Sequence, residues 1–219
     1  MNLAISAGQV GRTIQYITLT TRFAFTTVLL TLLASCTGLQ PQMVQQPADW
    51  SQRLAHNSAL SSWQLQGRLG IQTATEGGSF DLFWEQAPDK YSIRLLGPMG
   101  QGAMLINGDA DGVRVKTADG ERFDRDADRL FAEATGIELP LAGLKDWLRG
   151  MPIQQLATDT ISWNEQGQLY RLTQNGWKVE MNRYKDIDGY ELPHKFYIER
   201  EDRPELAIRL VILRWSPQP

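Results

Sequence analysis

Residues 206–212, Leu-Ala-Ile-Arg-Leu-Val-Ile, repeat an apolar side chain at every second position near the end of this 219-residue chain. Successive side chains of a β-strand point to opposite faces, so this spacing predicts a strand with one apolar face. The same alternation occurs upstream in segments 79–85, 90–96 and 195–199. In the last long strand, the predicted buried face consists of Leu206, Ile208, Leu210 and Ile212.

Turn signals separate these segments at intervals of roughly 8–12 residues. Asn-Gly and Asp-Gly pairs are typical of hairpin turns, because such turns need a positive φ angle at both central residues. Such pairs include 107–108, 111–112, 119–120 and 175–176. The segments between turns predict about eleven strands, and the short connections require antiparallel neighbours. The fold class is therefore mainly β, a sandwich or a barrel.

Three segments have a helical period instead, with apolar residues on one side: 48–60, 125–135 and 140–149. Gly136 is a C-terminal stop for the second segment, and Pro140 is tolerated in the first turn of the third. A sheet buries one face, and helices are its usual cover. The sequence thus predicts an antiparallel sheet carrying a pair of short helices inserted in mid-chain, an α+β arrangement.

The N-terminal segment 1–35 has the features of a secretory signal peptide. It contains no Asp, Glu or Lys, its only charged residues are Arg12 and Arg22, and an apolar run at 23–33 is too short to span a bilayer as a permanent helix. The only cysteine, Cys36, follows directly. A lone thiol in an exported chain forms no internal disulfide, which leaves a free or intermolecular thiol, or a small buried apolar residue.

A further interpretation rests on a resemblance. Leu33-Ala-Ser-Cys36 resembles the bacterial lipobox, in which the cysteine receives S-diacylglycerol, becomes the first residue after cleavage and is N-palmitoylated. Several acyl chains hold a protein firmly, whereas one does so marginally. Thr37 follows the cysteine where Asp would retain such a lipoprotein in the inner membrane, so the expected location is the outer membrane.

Composition limits the remaining chain to one domain. The chain has a formal charge of −3, and removal of the two arginines of the signal peptide makes it more negative by two. Such a chain has no electrostatic footprint for nucleic acid or for anionic lipid. Segment 36–47, rich in Gln and Pro, is predicted to be the lipidated cysteine and its tether. Segment 48–219 is then a single domain.

No arrangement of residues indicates catalysis or a cofactor. His56 and His194 lie on different predicted elements, and no spacing is typical of a metal site. The Gly-rich segment 97–102 lacks the Lys-Ser/Thr and the strand-to-helix context of a phosphate loop. We therefore expect no enzymatic activity, no catalytic residue, no metal and no cofactor.

One loop carries an apolar residue where a polar one is usual. Pro98 and Gly100 predict a turn in the segment 95–105, and Met99 lies at its tip. A single exposed apolar side chain is common. The alternative is a tip that touches lipid, for which the flexible Met side chain is well suited.

Several segments together resemble the outer-membrane lipoprotein receptor family LolB. The most specific is Gly136-Ile-Glu-Leu-Pro-Leu-Ala-Gly-Leu-Lys-Asp-Trp-Leu-Arg-Gly-Met-Pro152, and the order and spacing agree from about residue 50 to residue 215. Leu82-Phe-Trp84, Gly97-Pro-Met-Gly100 and Gln174-Asn-Gly-Trp-Lys-Val179 also match. The resemblance implies an unclosed antiparallel β-barrel, covered by short helices around a hydrophobic cavity.

The resemblance also implies a function and partners. Members accept triacylated lipoproteins from the periplasmic carrier LolA and insert them into the phospholipid of the inner leaflet of the outer membrane, facing the periplasm. They use no cofactor and bind no nucleic acid, and we expect a monomer. The membrane-insertion loop corresponds to Pro98, Met99 and Gly100, with Met99 in place of the usual Leu. The residues expected to line the cavity or its lid are Trp84, Leu144, Trp147 and Leu148.

Two other functions remain open from the residues alone. One is a lipid-anchored assembly or interaction module of the cell envelope without a ligand cavity. The other is a carrier of a different amphiphile, such as lipopolysaccharide. The interior distinguishes the first from a lipoprotein receptor, because an interaction module is packed solid whereas a carrier holds a void.

Overall fold

The computed structural model describes residues 45–100, 102–136 and 140–218. The predicted signal peptide 1–35, the lipidation site Cys36 and most of the predicted tether 36–47 lie outside these ranges. At residues 45–47 the chain has neither helix nor strand.

The chain forms thirteen strands and three helices in the described ranges. The helices are α1 (Trp50–Ala59), α2 (Ala127–Thr135) and α3 (Leu141–Leu148). The first six strands are β1 (Ser62–Gln72), β2 (Gly77–Gln86), β3 (Tyr91–Leu96), β4 (Met104–Asp109), β5 (Gly112–Thr117) and β6 (Gly120–Asp124). After α2 and α3 follow β7 (Thr160–Trp163), β8 (Leu169–Gln174), β9 (Trp177–Asn182), β10 (Lys185–Ile187), β11 (Tyr190–Leu192), β12 (Lys195–Arg200) and β13 (Arg203–Gln218).

Eleven strands form one sheet in the order β6-β5-β4-β3-β2-β1-β13-β12-β9-β8-β7. Every pair in it is antiparallel. Strand β13 pairs with β1 from Ala207↔Gln72 to Gln218↔Ser62, so the first and last strands meet in the middle of the sheet. In the described ranges, β6 and β7 are the edges and do not pair with each other, so the barrel is unclosed. The predicted count of about eleven strands is confirmed for this sheet, to which a separate ribbon adds β10 and β11.

The predicted alternation is confirmed in β13, where the four side chains of the predicted face are all buried: Leu206, Ile208, Leu210 and Ile212. One large hydrophobic core collects these side chains with those of β1 to β5, β8, β9 and β12. The six tryptophans of the domain after Trp50 are all buried: Trp63, Trp84, Trp147, Trp163, Trp177 and Trp215.

Helices α2 and α3 fill the inside of the sheet, as the mid-chain insertion predicted. Leu130 and Phe131 are buried on α2, and the indole of Trp147 is fully buried on α3. Helix α1 is peripheral, because none of its own residues is buried. Leu60, the last residue of the predicted helical segment 48–60, instead lies in the core just past the helix end. Within the described ranges, no helix is both long and apolar enough to cross a bilayer.

Candidate functional site

One end of the sheet collects the turns of several hairpins. The register of the ladders places the β1–β2 turn (73–76), the β3–β4 loop that contains Met99, the β5–β6 turn (118–119) and the β12–β13 turn (201–202) at the same end. We call this the Met99 end. The β2–β3 and β4–β5 turns lie at the opposite end.

Met99 is the most exposed large apolar residue in the described ranges, with 95% of its surface accessible. It lies in a short 3-10 turn, Pro98–Gly100, with φ 57° and ψ 23°. This left-handed conformation is unfavourable for a residue with a Cβ and costs about 1–2 kcal/mol. The loop therefore exposes an apolar side chain to water and also keeps its backbone strained. Backbone strain of this kind is concentrated at functional sites.

A cavity of about 610 Å³ lies at the Met99 end, between α2 and the sheet. Helix α2 contributes Phe131 and Ala134, and the Met99 hairpin contributes Leu95, Gly102 and Met104. The other walls consist of Ile71, Phe80 and Leu206 with the 73–78 segment, and the rim carries Glu76, Arg203 and Glu205. An open cavity of this size, with apolar walls and several polar groups in its lining, has the character of a ligand pocket.

Helix α2 is well fixed at its ends. The Asp126 side chain accepts hydrogen bonds from the backbone N–H groups of Asp128 and Arg129, at 3.1 and 3.0 Å, which caps the first turn. The pKa of Asp124 is lowered by the backbone N–H of Asp126 and then by its ion pair with Arg129. Gly136, with φ 71°, ends the helix in the left-handed conformation, as predicted.

Helix α3 is held by a buried side-chain amide. Gln174 of β8 has no exposed surface, and its Oε1 accepts hydrogen bonds from Trp147 Nε1 at 3.0 Å and from the backbone N–H of Ile153 at 2.9 Å. Its Nε2 donates to Ile153 O at 3.1 Å and to Thr158 Oγ1 at 3.1 Å. Both ends of the amide are thus satisfied, which joins α3 and the segment after it to the sheet.

A charged residue joins α3 to α1. Arg149 forms an ion pair with Asp146 at 2.6 Å, and both side chains are only 11% exposed. Arg149 Nη1 also donates to the carbonyl oxygen of Leu60 at 2.9 Å, and Asn57 donates to the carbonyl of Arg149 at 2.8 Å. These bonds satisfy carbonyl groups at the ends of both helices.

The four residues expected to line the cavity or lid belong to one buried core cluster. They are Trp84, Leu144, Trp147 and Leu148. None of them is among the residues that line the cavity at the Met99 end; Trp147 borders a separate groove of about 520 Å³ beside α3. Their role as lid or lining stays a prediction.

The residues that line the cavity were not selected from the sequence. Phe80 and Phe131 carried only a strand or helix signal, since an apolar residue beside a void has the same pattern as one in a solid core. Gln174 and Arg149 occurred in the segments that carry the family resemblance, but nothing local showed that their polar groups are buried.

The two histidines lie apart. His56 contacts the carbonyl oxygen of Gly189 at 3.0 Å and stacks on Tyr190, with ring centroids 4.7 Å apart. His194 is buried, and burial lowers its pKa against an opposing hydrogen bond to Leu192 O. In the described part of the chain, no group of three or more His, Cys, Asp or Glu side chains is placed to hold a metal ion.

The fold and the cavity define a class: an unclosed antiparallel β-barrel with helices inside it and an apolar cavity at one end. A solved LolA-superfamily protein from Nitrosomonas europaea shares this fold, with a TM-score of 0.51 over 77% of this chain and 93% of that one, at 9% identity.

The sequence comparisons identify the family. The family model described as "Outer membrane lipoprotein LolB" matches residues 61–215. The "Outer-membrane lipoprotein LolB" of Stutzerimonas stutzeri is 36% identical over 87% of this chain and 93% of its own length. The protein of the same description from Pseudomonas putida is 33% identical over 90% of this chain and 97% of its own. The chain belongs to the LolB family of outer-membrane lipoproteins, which confirms the resemblance and the expected outer-membrane location.

Proposed function

We propose that the chain is the outer-membrane receptor that accepts triacylated lipoproteins from a LolA-like periplasmic carrier and inserts them into the inner leaflet of the outer membrane. The observation that carries this proposal is the apolar cavity at the same end of the barrel as the exposed Met99. An interaction module has no need of a cavity with such apolar walls. Membership of the LolB family adds independent support.

Acyl-chain burial supplies the driving force for acceptance. Each CH₂ group exposed to water costs about 0.8 kcal/mol, so acyl chains stay shielded in a carrier until another apolar site is offered. A tenfold preference for the receiving cavity requires only about 1.4 kcal/mol. Small differences in apolar contact with residues such as Phe80 and Phe131 are of this size, so transfer proceeds without nucleotide, cofactor or covalent chemistry.

Met99 then acts at the membrane. Burial of one such side chain in the leaflet is worth about 1.5–3 kcal/mol, which orients a protein already held at the surface but does not recruit one from solution. The tether 36–47, with Cys36 acylated by S-diacylglycerol and an N-palmitoyl chain, supplies that attachment. The domain 48–219 works as a monomer, and Pro98 and Gly100 set the turn that presents Met99.

The proposal is tested with a soluble form that begins at Thr37. It is mixed with carrier-bound triacylated lipoprotein, with the same lipoprotein lacking acyl chains, and with lipopolysaccharide. We expect transfer of the triacylated lipoprotein only. Transfer that is indifferent to the acyl chains, or a preference for lipopolysaccharide, contradicts the receptor function.

The role of Met99 is tested separately with Met99→Glu. We expect normal acceptance from the carrier and a loss of insertion into membranes, because a carboxylate resists burial in lipid. Unchanged insertion by this variant would exclude the proposed contact of Met99 with the leaflet.

A further inference from the structure

The Met99 loop lies between two hairpin turns that each carry a carboxylate. Strands β1 to β6 follow one another in the sheet, so the β1–β2 turn, the Met99 loop and the β5–β6 turn are neighbours along the Met99 end. Measured across the sheet, adjacent turns are two strand spacings apart, about 10 Å. Along the strands, the β1–β2 hairpin also extends past the last β2–β3 pair, Asp81↔Leu96. The outer turns hold Glu76 and Asp119, both exposed, whereas residues 97–103 of the middle loop contain no charged residue.

These two carboxylates differ from the other acidic groups at the Met99 end. In the β12–β13 turn, Glu201 pairs with Lys178 at 3.3 Å and Asp202 pairs with Arg200 at 2.7 Å. Among the described residues, neither Glu76 nor Asp119 has an ion-pair partner.

Further cations lie in the same part of the molecule and have neighbours of their own. Arg122 of β6, for example, donates to the carbonyl oxygen of Glu133 at 3.5 Å. Arg203 at the cavity rim lies 3.7 Å from Glu205, and Lys116 is opposite Glu121 in the β5–β6 ladder. The surroundings of the Met99 tip therefore have no excess of positive charge.

The position of these carboxylates matters once Met99 enters lipid. The turns that flank the tip then approach the headgroups to about 10 Å, which is close to the Debye length of about 8 Å at physiological ionic strength, so their charges are felt but partly screened. A basic residue near an anionic leaflet strengthens membrane binding about fivefold, and a carboxylate in the same place weakens membrane binding by a similar factor. Burial of Met99 strengthens membrane binding roughly ten- to hundredfold. On an anionic leaflet, the two carboxylates together offset much of this gain.

We propose that Glu76 and Asp119 make the Met99 tip selective for a leaflet surface without net negative charge, that is, for zwitterionic phospholipid headgroups. The apolar side chain supplies attraction to any leaflet, and the carboxylates supply repulsion from an anionic one. This inference rests on the proposed insertion function and names the membrane surface on which it works.

The test uses the full-length lipidated protein reconstituted in vesicles of phosphatidylcholine, or of equal parts phosphatidylcholine and phosphatidylglycerol. Triacylated lipoprotein is delivered by the carrier, and the measured quantity is the ratio of the insertion rates in the two vesicles. Because it is a ratio, an effect of Glu76→Gln on acceptance at the cavity rim cancels. We expect the unmodified protein to insert more slowly in the anionic vesicles, by about fivefold for each carboxylate.

The double variant Glu76→Gln/Asp119→Asn should bring that ratio close to one. The matched control is Asp89→Asn/Asp111→Asn, which removes two exposed carboxylates from the β2–β3 and β4–β5 turns at the opposite end. It changes the net charge equally and should leave the ratio as in the unmodified protein. Equal ratios for the two double variants overturn the inference, as does an unmodified protein that shows no difference between the vesicles.

Met99→Ala separates this inference from the function on which it rests. Slower insertion of Met99→Ala in neutral vesicles, with no effect of the flanking carboxylates, refutes the inference and leaves the insertion function standing. Unchanged insertion of Met99→Ala in neutral vesicles refutes the contact of Met99 with the leaflet and the inference with it, and leaves the receptor function to be judged by the acyl-dependent transfer experiment.

Discussion

Helices α2 and α3 are adjacent in the chain and cover the same apolar sheet, but they do so in different ways. The closed region consists of α3, Gln174 and Arg149, where buried polar groups bond the helix to the sheet and to α1. The open region consists of α2, the Met99 loop and the cavity between them, whose walls are mainly apolar. The polar contacts of α2 with β6 (Arg129 to Asp124, and Arg122 to the Glu133 carbonyl oxygen) are exposed. Apolar contacts are not directional, so they permit a gap, whereas a buried amide must meet its partners at hydrogen-bond distance.

This contrast indicates that the closed and open regions have different roles. The closed region keeps the barrel folded around a fixed helix, and the open region supplies a void that accepts acyl chains. Substitutions in the closed region should therefore act on stability, and those in the open region on function, with small or opposite effects on stability.

Arg149→Met should have the greatest effect, because it leaves Asp146 as an unpaired charge in a nearly buried place. We expect the free energy of unfolding in urea to fall by about 3–5 kcal/mol. Arg68→Met is the control, since its ion pair with Asp81 is exposed (3.4 Å) and should change stability by less than about 1 kcal/mol. Equal effects of the two variants would contradict a special role for the closed region.

Gln174→Met should have the second largest effect on stability. It keeps the apolar bulk but leaves the Trp147 indole N–H and the Ile153 N–H without acceptors, each of which costs roughly 1–3 kcal/mol. We expect a loss of about 3 kcal/mol in the same unfolding measurement. Gln166→Met, at an exposed site in the β7–β8 turn, should be within about 0.5 kcal/mol of the unmodified chain. An unchanged free energy of unfolding in Gln174→Met would mean that the amide does not hold α3.

Ala134→Leu, in the open region, should raise the free energy of unfolding instead of lowering it. The larger side chain fills part of the cavity, and filled cavities commonly raise stability by about 0.5–2 kcal/mol. Acceptance of triacylated lipoprotein should fall, because the acyl chains lose the same space. The control is Ala55→Leu, which adds the same volume on the exposed side of α1 and should leave acceptance unchanged. Impaired acceptance by Ala55→Leu, or normal acceptance by Ala134→Leu, would show that the cavity does not accept the acyl chains.

Met99→Gly should have the smallest effect on stability and still impair function. Glycine adopts φ 57° without strain, and after its greater freedom in the unfolded chain is subtracted we expect a gain of about 0.5–1 kcal/mol. Insertion should slow, because the apolar tip is lost. Asp188→Gly relieves a similar angle, φ 52°, in the β10–β11 turn and should leave insertion unchanged. Insertion by Met99→Gly at the rate of the unmodified chain would show that the strained Met is not needed.

The same contrast separates local from long-range information. The strands, the helices near 127–135 and 141–148 and the Met99 tip were predictable, because the alternation of side chains, Asn-Gly and Asp-Gly turns and helix stops act over a few residues. The family resemblance added the unclosed barrel and the cavity. Phe131 and Ala134 of α2, which line the cavity at the Met99 end, illustrate the limit, because an apolar residue beside a void has the same pattern as one in a solid core. The role expected for the α3 residues stays a prediction.

The amino-acid order thus specified which residues face inward and most of the places where the chain turns. Asn107-Gly108, predicted as a turn, instead lies inside β4 and pairs with Ser92 and Tyr91 of β3. Tertiary structure alone decided that Gln174 meets Trp147 and Ile153, that Arg149 reaches the end of α1, and that the space beside α2 stays unfilled. A void is the difference between the volume that the strands enclose and the volume that the side chains fill. It depends on residues far apart in the chain, so no local pattern records it.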